Sequence, residues 1–130
     1  MSTRLNISSG AKWEDIIGYS RAVRIGNTVE VTGTVAADDS GAVVGKENPY
    51  EQTKFILQKI DRVLKQAGAS LNDVVRTRLF VTDISRWEEY GRAHGEIFGT
   101  IKPCTTMVEI VGLIGSEYMV EIEATAIIEQ

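Results

Sequence analysis

The stretch from Ile101 to Ile128, IKPCTTMVEIVGLIGSEYMVEIEATAII, constrains the fold of this chain more than any other. It reads as two strands joined by a glycine-bearing turn. In the second strand Tyr118, Val120, Ile122, Ala124, Ala126 and Ile128 share one face by the two-residue period of extended backbone, and Met119, Glu121, Glu123, Thr125 and Ile127 share the other. One face is apolar and has to be covered; the other presents two carboxylates. In the first strand, after Pro103, Val108 and Ile110 take the apolar side, with Thr105, Met107 and Glu109 opposite. A sheet face carrying Glu109, Glu121 and Glu123 meets water, a ligand or a partner chain.

The rest of the chain supplies neighbours for these strands. Ser20 to Ile25 and Thr28 to Thr34 form a hairpin about Gly26-Asn27, a dipeptide that tolerates positive φ. In its second arm Val29, Val31 and Gly33 alternate with Glu30, Thr32 and Thr34, and a glycine inside a strand marks a bulge or a close approach. Asp38 to Lys46 is polar and reads as a loop or hairpin tip. A helix then starts at Asn48, with Pro49 in its first position and Glu51 placed to complete a capping box. Thr53, Ile56, Leu57, Ile60, Val63, Leu64 and Ala67 recur at three- and four-residue steps, and Gly68 ends it.

Val74 to Thr82 is the next strand, with Val75, Thr77, Leu79 and Val81 on one face and Arg76, Arg78, Phe80 and Thr82 on the other. Ser85 and Glu88 make a second capping box ahead of a helix with Trp87, Tyr90, Ala93, His94, Ile97 and Phe98 on its stripe, ended by Gly99. The order β-β-α-β-α-β-β, with one-sided helices, implies an α+β fold of two layers, a mixed sheet with two helices on one face. Its other face carries Arg76, Phe80, Met107 and Ile127 beside the carboxylates, and such mixed surfaces associate. A homo-oligomer is expected.

Composition decides between partners. The 130 residues suit a single domain spanning residues 1–130 with one core. No uncharged apolar run is long enough to cross a membrane, and MSTRLNISSGAKWEDI lacks the apolar core of a secretory signal, so the cytoplasm is the expected location. Cys104 is the only cysteine and His94 the only histidine, which excludes an internal disulfide and disfavours a structural zinc site. A formal net charge of −4 repels phosphate backbones, so nucleic acid is not an expected partner.

GYSRAVRIGNTVEVTGTVA, EQTKFILQKIDRVLKQAGASLNDVVRTRLFVTDISRWEEY, KPCTTMVEI and VEIEATAI together resemble the Rid family of small proteins, also called YjgF, YER057c or UK114. The resemblance runs from about Gly18 to Ile128. It implies a chorismate-mutase-like fold, a homotrimer with ligand clefts between subunits, and, in active members, hydrolysis of 2-aminoacrylate-type enamines or imines to 2-keto acids and ammonia without metal or organic cofactor. It also implies that Glu121 positions or activates water and that Tyr19, Gly33, Thr105, Thr106 and Met107 line the pocket, with backbone amides near Thr105 and Thr106 polarising the substrate. Two positions depart from the family pattern: Thr105 stands where active deaminases carry a carboxylate-binding arginine, and Gly91 where they carry an asparagine. A hydroxyl donates one hydrogen bond but brings no charge.

Several residues carry a plainer reading beside the functional one. Glu123 is structural, His94 packs on its helix, and Cys104 is a small hydrophobe that becomes reactive only if exposed. Arg76 and Arg78 are ion-pair partners for Glu109, Glu121 or Glu123, or else one of them supplies the missing positive charge. No base for a Thr105 nucleophile is apparent in the sequence. Three functions remain open on these residues: a Rid-type hydrolase of a small imine, enamine or carbonyl-derived metabolite, a non-catalytic trimeric ligand-binding or regulatory module, and the ribonuclease or translation-inhibitor activity ascribed to some relatives, which the acidic balance disfavours.

Overall fold

Six strands form one mixed sheet whose order puts the carboxylate-bearing strand near its centre. In the computed structural model, which describes residues 4–129, the strands are β1 (Leu5–Ile7), β2 (Ala22–Ile25), β3 (Thr28–Thr34), β4 (Val74–Val81), β5 (Cys104–Glu109) and β6 (Val120–Ile127), arranged β1-β2-β3-β6-β4-β5. All neighbours run antiparallel except β4 and β5, which are parallel. The expected α+β fold, with a mixed sheet and helices over one apolar face, is the one observed. The strand β1 and a short helix α1 (Lys12–Ile17) add to the expected order.

The chemistry of β6 explains its place. Val120, Ile122, Ala124 and Ala126 are buried while Glu121, Glu123 and Thr125 stay partly open, so the strand is apolar beneath and polar above. Such a strand gains most with a neighbour on each side. The two strands read from the Ile101–Ile128 stretch are β5 and β6; they are not paired with each other, because residues 110–119 carry the chain across the end of β4 before β6 begins.

Three strand faces also differ from simple alternation, each for a local reason. In β5 the parallel register sets Met107 beside the buried Leu79, so Met107 packs toward the core, and Val108, beside Phe80, turns outward. In β4 a register shift between Val74 and Arg76 buries Val74 and exposes Val75; from Thr77 onward the expected alternation holds. In β3 the register shifts between Val31 and Thr34, which brings Thr34 into the core opposite Ile122 and leaves Gly33 at the bulge that its glycine predicts.

Two helices cover the apolar face. In α2 (Pro49–Gln66) Ile56, Leu57, Ile60 and Leu64 are fully buried. Asn48 accepts the Glu51 amide at 3.0 Å, but its own amide goes to the Gly45 carbonyl rather than to the Glu51 side chain, so only half of the capping box forms. Gly68, at φ 84°, ends the helix in the left-handed region. Ahead of α3 (Trp87–Phe98) the cap is Asp83, which accepts from the Ser85 amide and hydroxyl and closes a 3-10 turn over Ile84–Arg86; Ser85 does not cap the helix. Tyr90, Ala93 and Phe98 are buried, whereas Trp87, expected on the same stripe, stands 56% exposed. No helix among the described residues is long and apolar enough to cross a membrane.

Replacing Asn48 by Ala is expected to lower the unfolding free energy by about 1 kcal/mol, and Leu57→Ala by about 2–5 kcal/mol. Urea denaturation at matched protein concentration measures both, and Leu57→Ala should be the costlier.

Candidate functional site

The expected site residues fall into two groups separated by β4. The first is built on β2, β3 and β6. Glu121 projects from β6 onto Gly33, and a Cβ added to Gly33 would lie 2.8 Å from the Glu121 Cδ. The bulge in β3 and the missing side chain together make the room that the carboxylate occupies. Arg21, just before β2, closes this group: its Nη2 donates to the Gly33 carbonyl at 3.3 Å and its guanidinium lies 5.7 Å from the centre of the Tyr19 ring. Tyr19, Gly33 and Glu121 are thus gathered around one guanidinium, 9% exposed, whose buried Nε has no hydrogen-bond partner.

Burial pushes the Glu121 carboxyl above its ordinary value, and the neighbouring Glu123 pushes it the same way against the opposing pull of Arg21. A carboxyl so perturbed both holds and releases a proton closer to neutrality. Glu123, next on the same face, has its partner in Arg78 at 3.7 Å. Glu109, for its part, accepts the Ile84 amide at 2.9 Å. Of the ion pairs expected for Arg76 and Arg78, the observed one is Arg78–Glu123.

The second group lies on β5 at the sheet's other edge. Thr105 and Thr106 are exposed, Met107 is half-buried, and Cys104 is exposed and free. The parallel register sets Thr105 beside Thr77 and Thr106 beside Arg78, so the two threonines face opposite sides of the sheet. On the helix side the Thr77 hydroxyl lies 2.9 Å from that of Thr105 and 2.8 Å from Nε2 of His94, while Thr105 is 3.5 Å from the same nitrogen. An imidazole nitrogen that the sequence does not place near Thr105 is therefore within reach of both hydroxyls. Burial pushes the His94 imidazole below its usual value, favouring its neutral form. Gly91 lies on α3, and the edge of Trp87, 3.9 Å away, is the nearest side chain to where its Cβ would be.

One chain does not bring the two groups together. Glu121 pairs with Phe80 and Thr105 with Thr77 on opposite edges and opposite faces of β4. An open concavity of about 690 Å³ borders the first group and is lined by Tyr19, Val23, Glu30, Arg78 and Glu123 with Glu14 and Asp15 of α1, not by Glu121 itself. Glu14 is buried; burial raises its proton affinity, but hydrogen bonds from Ser9 and Ser8 outweigh that and hold it low. Among the described residues no three His, Cys, Asp or Glu side chains converge as a metal-binding set.

Two participants escaped sequence reading. Thr77, a polar residue on an otherwise apolar face, is the signal that could have pointed to His94, the only imidazole, on the helix that follows. Arg21 could have been found as a charge two residues from Tyr19 at the start of a strand whose next residue faces the core.

The comparisons with known proteins agree with this architecture. The family model described as Endoribonuclease L-PSP matches residues 10–128. A crystal structure of a member of the YjgF/YER057c/UK114 family from Mycobacterium tuberculosis has 48% sequence identity and a TM-score of 0.88, over 97% of this chain and 100% of that one. An uncharacterised protein of Streptomyces coelicolor is 34% identical over 120 residues, 92% of this chain and 89% of its own length. A 3-aminoacrylate deaminase, RutC, of Acinetobacter baylyi is 30% identical over 108 residues, 83% of this chain and 85% of its own. The chain belongs to the Rid, or YjgF/YER057c/UK114, family.

The Glu121 shift has a consequence for stability. The fold holds this proton more tightly than the unfolded chain does, so the contribution favours folding in acid and is lost as pH rises through the raised value. Glu121→Gln should therefore be more stable than the natural protein at neutral pH, with the gap closing below the ordinary carboxylate range. Thermal unfolding of both across that range reads the difference, and a gap independent of pH would contradict the shift.

Proposed function

We propose that the protein binds a small enamine, imine or carbonyl metabolite in clefts between copies of the chain and hydrolyses it, with Glu121 as the proton-transfer group. The observation that supports this most is the raised, half-buried carboxyl of Glu121 held against the bare backbone of Gly33, with Tyr19 and Arg21 beside it. The 3-aminoacrylate deaminase relative supports the same reaction class. The cleft joins the Glu121 group of one copy to the β5 edge of another, as a homotrimer of the family kind would, with Thr105, Thr106 and Met107 lining it.

In this reaction protonated Glu121 gives its proton to the enamine carbon and leaves an iminium ion. The resulting carboxylate takes a proton from water as the oxygen bonds to the iminium carbon. Glu121, protonated again, then gives its proton to the carbinolamine nitrogen, and as ammonia leaves the carboxylate takes the proton of the new hydroxyl, so enamine and water become carbonyl compound and ammonia. As the last strand of its sheet, β5 has alternate amides without a strand partner, available near Thr105 and Thr106 to polarise the substrate. No metal or organic cofactor enters this scheme, and the net charge of −4 gives nucleic acid no part in it. A second reading, a ligand-binding or regulatory module that keeps the cleft without turnover, is favoured by the uncharged Thr105.

The test is ammonia release from freshly generated 3-aminoacrylate and 2-aminoacrylate, followed by a coupled assay. The natural protein should accelerate at least one, and Glu121→Gln should lower kcat by about 10²-fold or more with KM nearly unchanged. No acceleration of either, with ligand-induced thermal stabilisation retained, would leave the binding module as the function.

A further inference from the structure

The proposed reaction gives Thr77 and His94 no part, yet their side chains are hydrogen-bonded to that of the cleft-lining Thr105. Thr77 is fully buried, His94 half-buried and Thr105 exposed, so the hydrogen bonds lead from the interior to the surface. The parallel β4–β5 register aligns the two hydroxyls, and α3, packed over this edge, sets Nε2 of His94 2.8 Å from Thr77. Chance packing of a histidine needs one hydrogen bond to the buried hydroxyl; here a second hydroxyl, 2.9 Å further along, carries the connection to the open edge.

We infer that His94, Thr77 and Thr105 form a relay that receives the carboxylate of a small ligand, with the imidazole standing behind the two hydroxyls as the source of charge. The inference rests on the reading of the β5 edge as one wall of the ligand cleft. A hydroxyl carries one proton, so the direction of the relay is set at its inner end. With a proton on Nε2, His94 donates to Thr77 and Thr77 to Thr105, which leaves the Thr105 proton to point outward. Without a ligand that proton has the Pro103 carbonyl in reach, at 3.4 Å. An anion at Thr105 selects this direction, which the neutral Nε2–H tautomer and the doubly protonated ring both supply, and its charge favours the latter; a bare Nε2 reverses the relay and turns lone pairs toward the anion.

The surroundings of the ring make it responsive. From β4 it faces Thr77 and from β5 Thr105, neither of them charged, and on its own helix it lies 4.7 Å from the Phe98 ring. Glu96 and Arg92 of α3 are engaged with Tyr50 of α2, the one by a hydrogen bond and the other over its ring. Burial is the cause of its lowered proton affinity, with no charged neighbour contributing. The free protein therefore keeps His94 neutral near physiological pH, and carboxylate and proton bind together: each raises the affinity for the other.

Because the chain has a single histidine, one imidazole proton resonance reports the test directly. Its NMR titration midpoint should rise by about one pH unit in saturating pyruvate and stay unmoved by acetone, which lacks the carboxylate. Thr105→Val should abolish the rise, and His94→Gln should weaken pyruvate binding about tenfold on the acid side of the midpoint and flatten its pH dependence. A midpoint unmoved at every pyruvate concentration, or moved equally by acetone, would overturn the relay, as would an undiminished rise in Thr105→Val; should either variant fail to fold, the pyruvate-against-acetone comparison in the natural protein decides alone. Enamine turnover with an unmoved midpoint removes the relay and leaves the deaminase standing, whereas a carboxylate-dependent midpoint without turnover supports the relay and removes the deaminase.

Discussion

The burial of one face of β6 governs the remainder of the molecule. Val120, Ile122, Ala124 and Ala126 lie against the helices, and covering side chains such as Val120 and Ile122 is worth about 1.5–3 kcal/mol each. With the period of a strand fixed at two, that gain commits Glu121 and Glu123 to the opposite face, where nothing in the sheet itself neutralises both. Glu123 finds Arg78; Glu121 is left half-buried against Gly33, with its proton held more tightly than usual. The unusual carboxyl is thus a by-product of the core, stabilised by hydrophobic burial on the far side of the same strand.

Much of this was legible because it is local. The alternation in β6, the Asn48-Pro49 start of α2 and the glycine bulge at Gly33 are each written within a few residues, and the structure has them all. What sequence reading missed depends on partners far along the chain. The side of the sheet that Met107 faces follows from its register with Leu79, and the outward turn of Val75 from a bulge against β6, neither of which periodicity contains. The Thr77–Thr105 contact spans 28 positions and exists only because β4 and β5 run parallel. For the same reason nothing within the Ile101–Ile128 stretch says that its two strands stand two places apart in the sheet.

The division of the site follows from this topology. Strand β4 stands between the Glu121 group and the Thr105 group, and the Glu121 and Thr105 side chains face opposite sides of the sheet. The cleft proposed between copies would reconcile the separation with a single reaction, since each copy offers both halves at different places on its surface. In place of a guanidinium at Thr105, the fold has a positive charge on Arg21 in one half and an imidazole behind the Thr77 and Thr105 hydroxyls in the other.

The most direct measurement is complementation between Glu121→Gln and Thr105→Val, each expected to hydrolyse the enamine more slowly than the natural protein when assembled alone, denatured, mixed in equal amounts and refolded together. If each cleft takes one half from each of two neighbours, random assembly restores about a quarter of the clefts to natural composition, and enamine hydrolysis should return to that level, above either variant alone. Activity in the mixture equal to the mean of the two separate variants, with mixed oligomers demonstrably formed, would show that both halves must come from the same chain and would contradict the shared cleft.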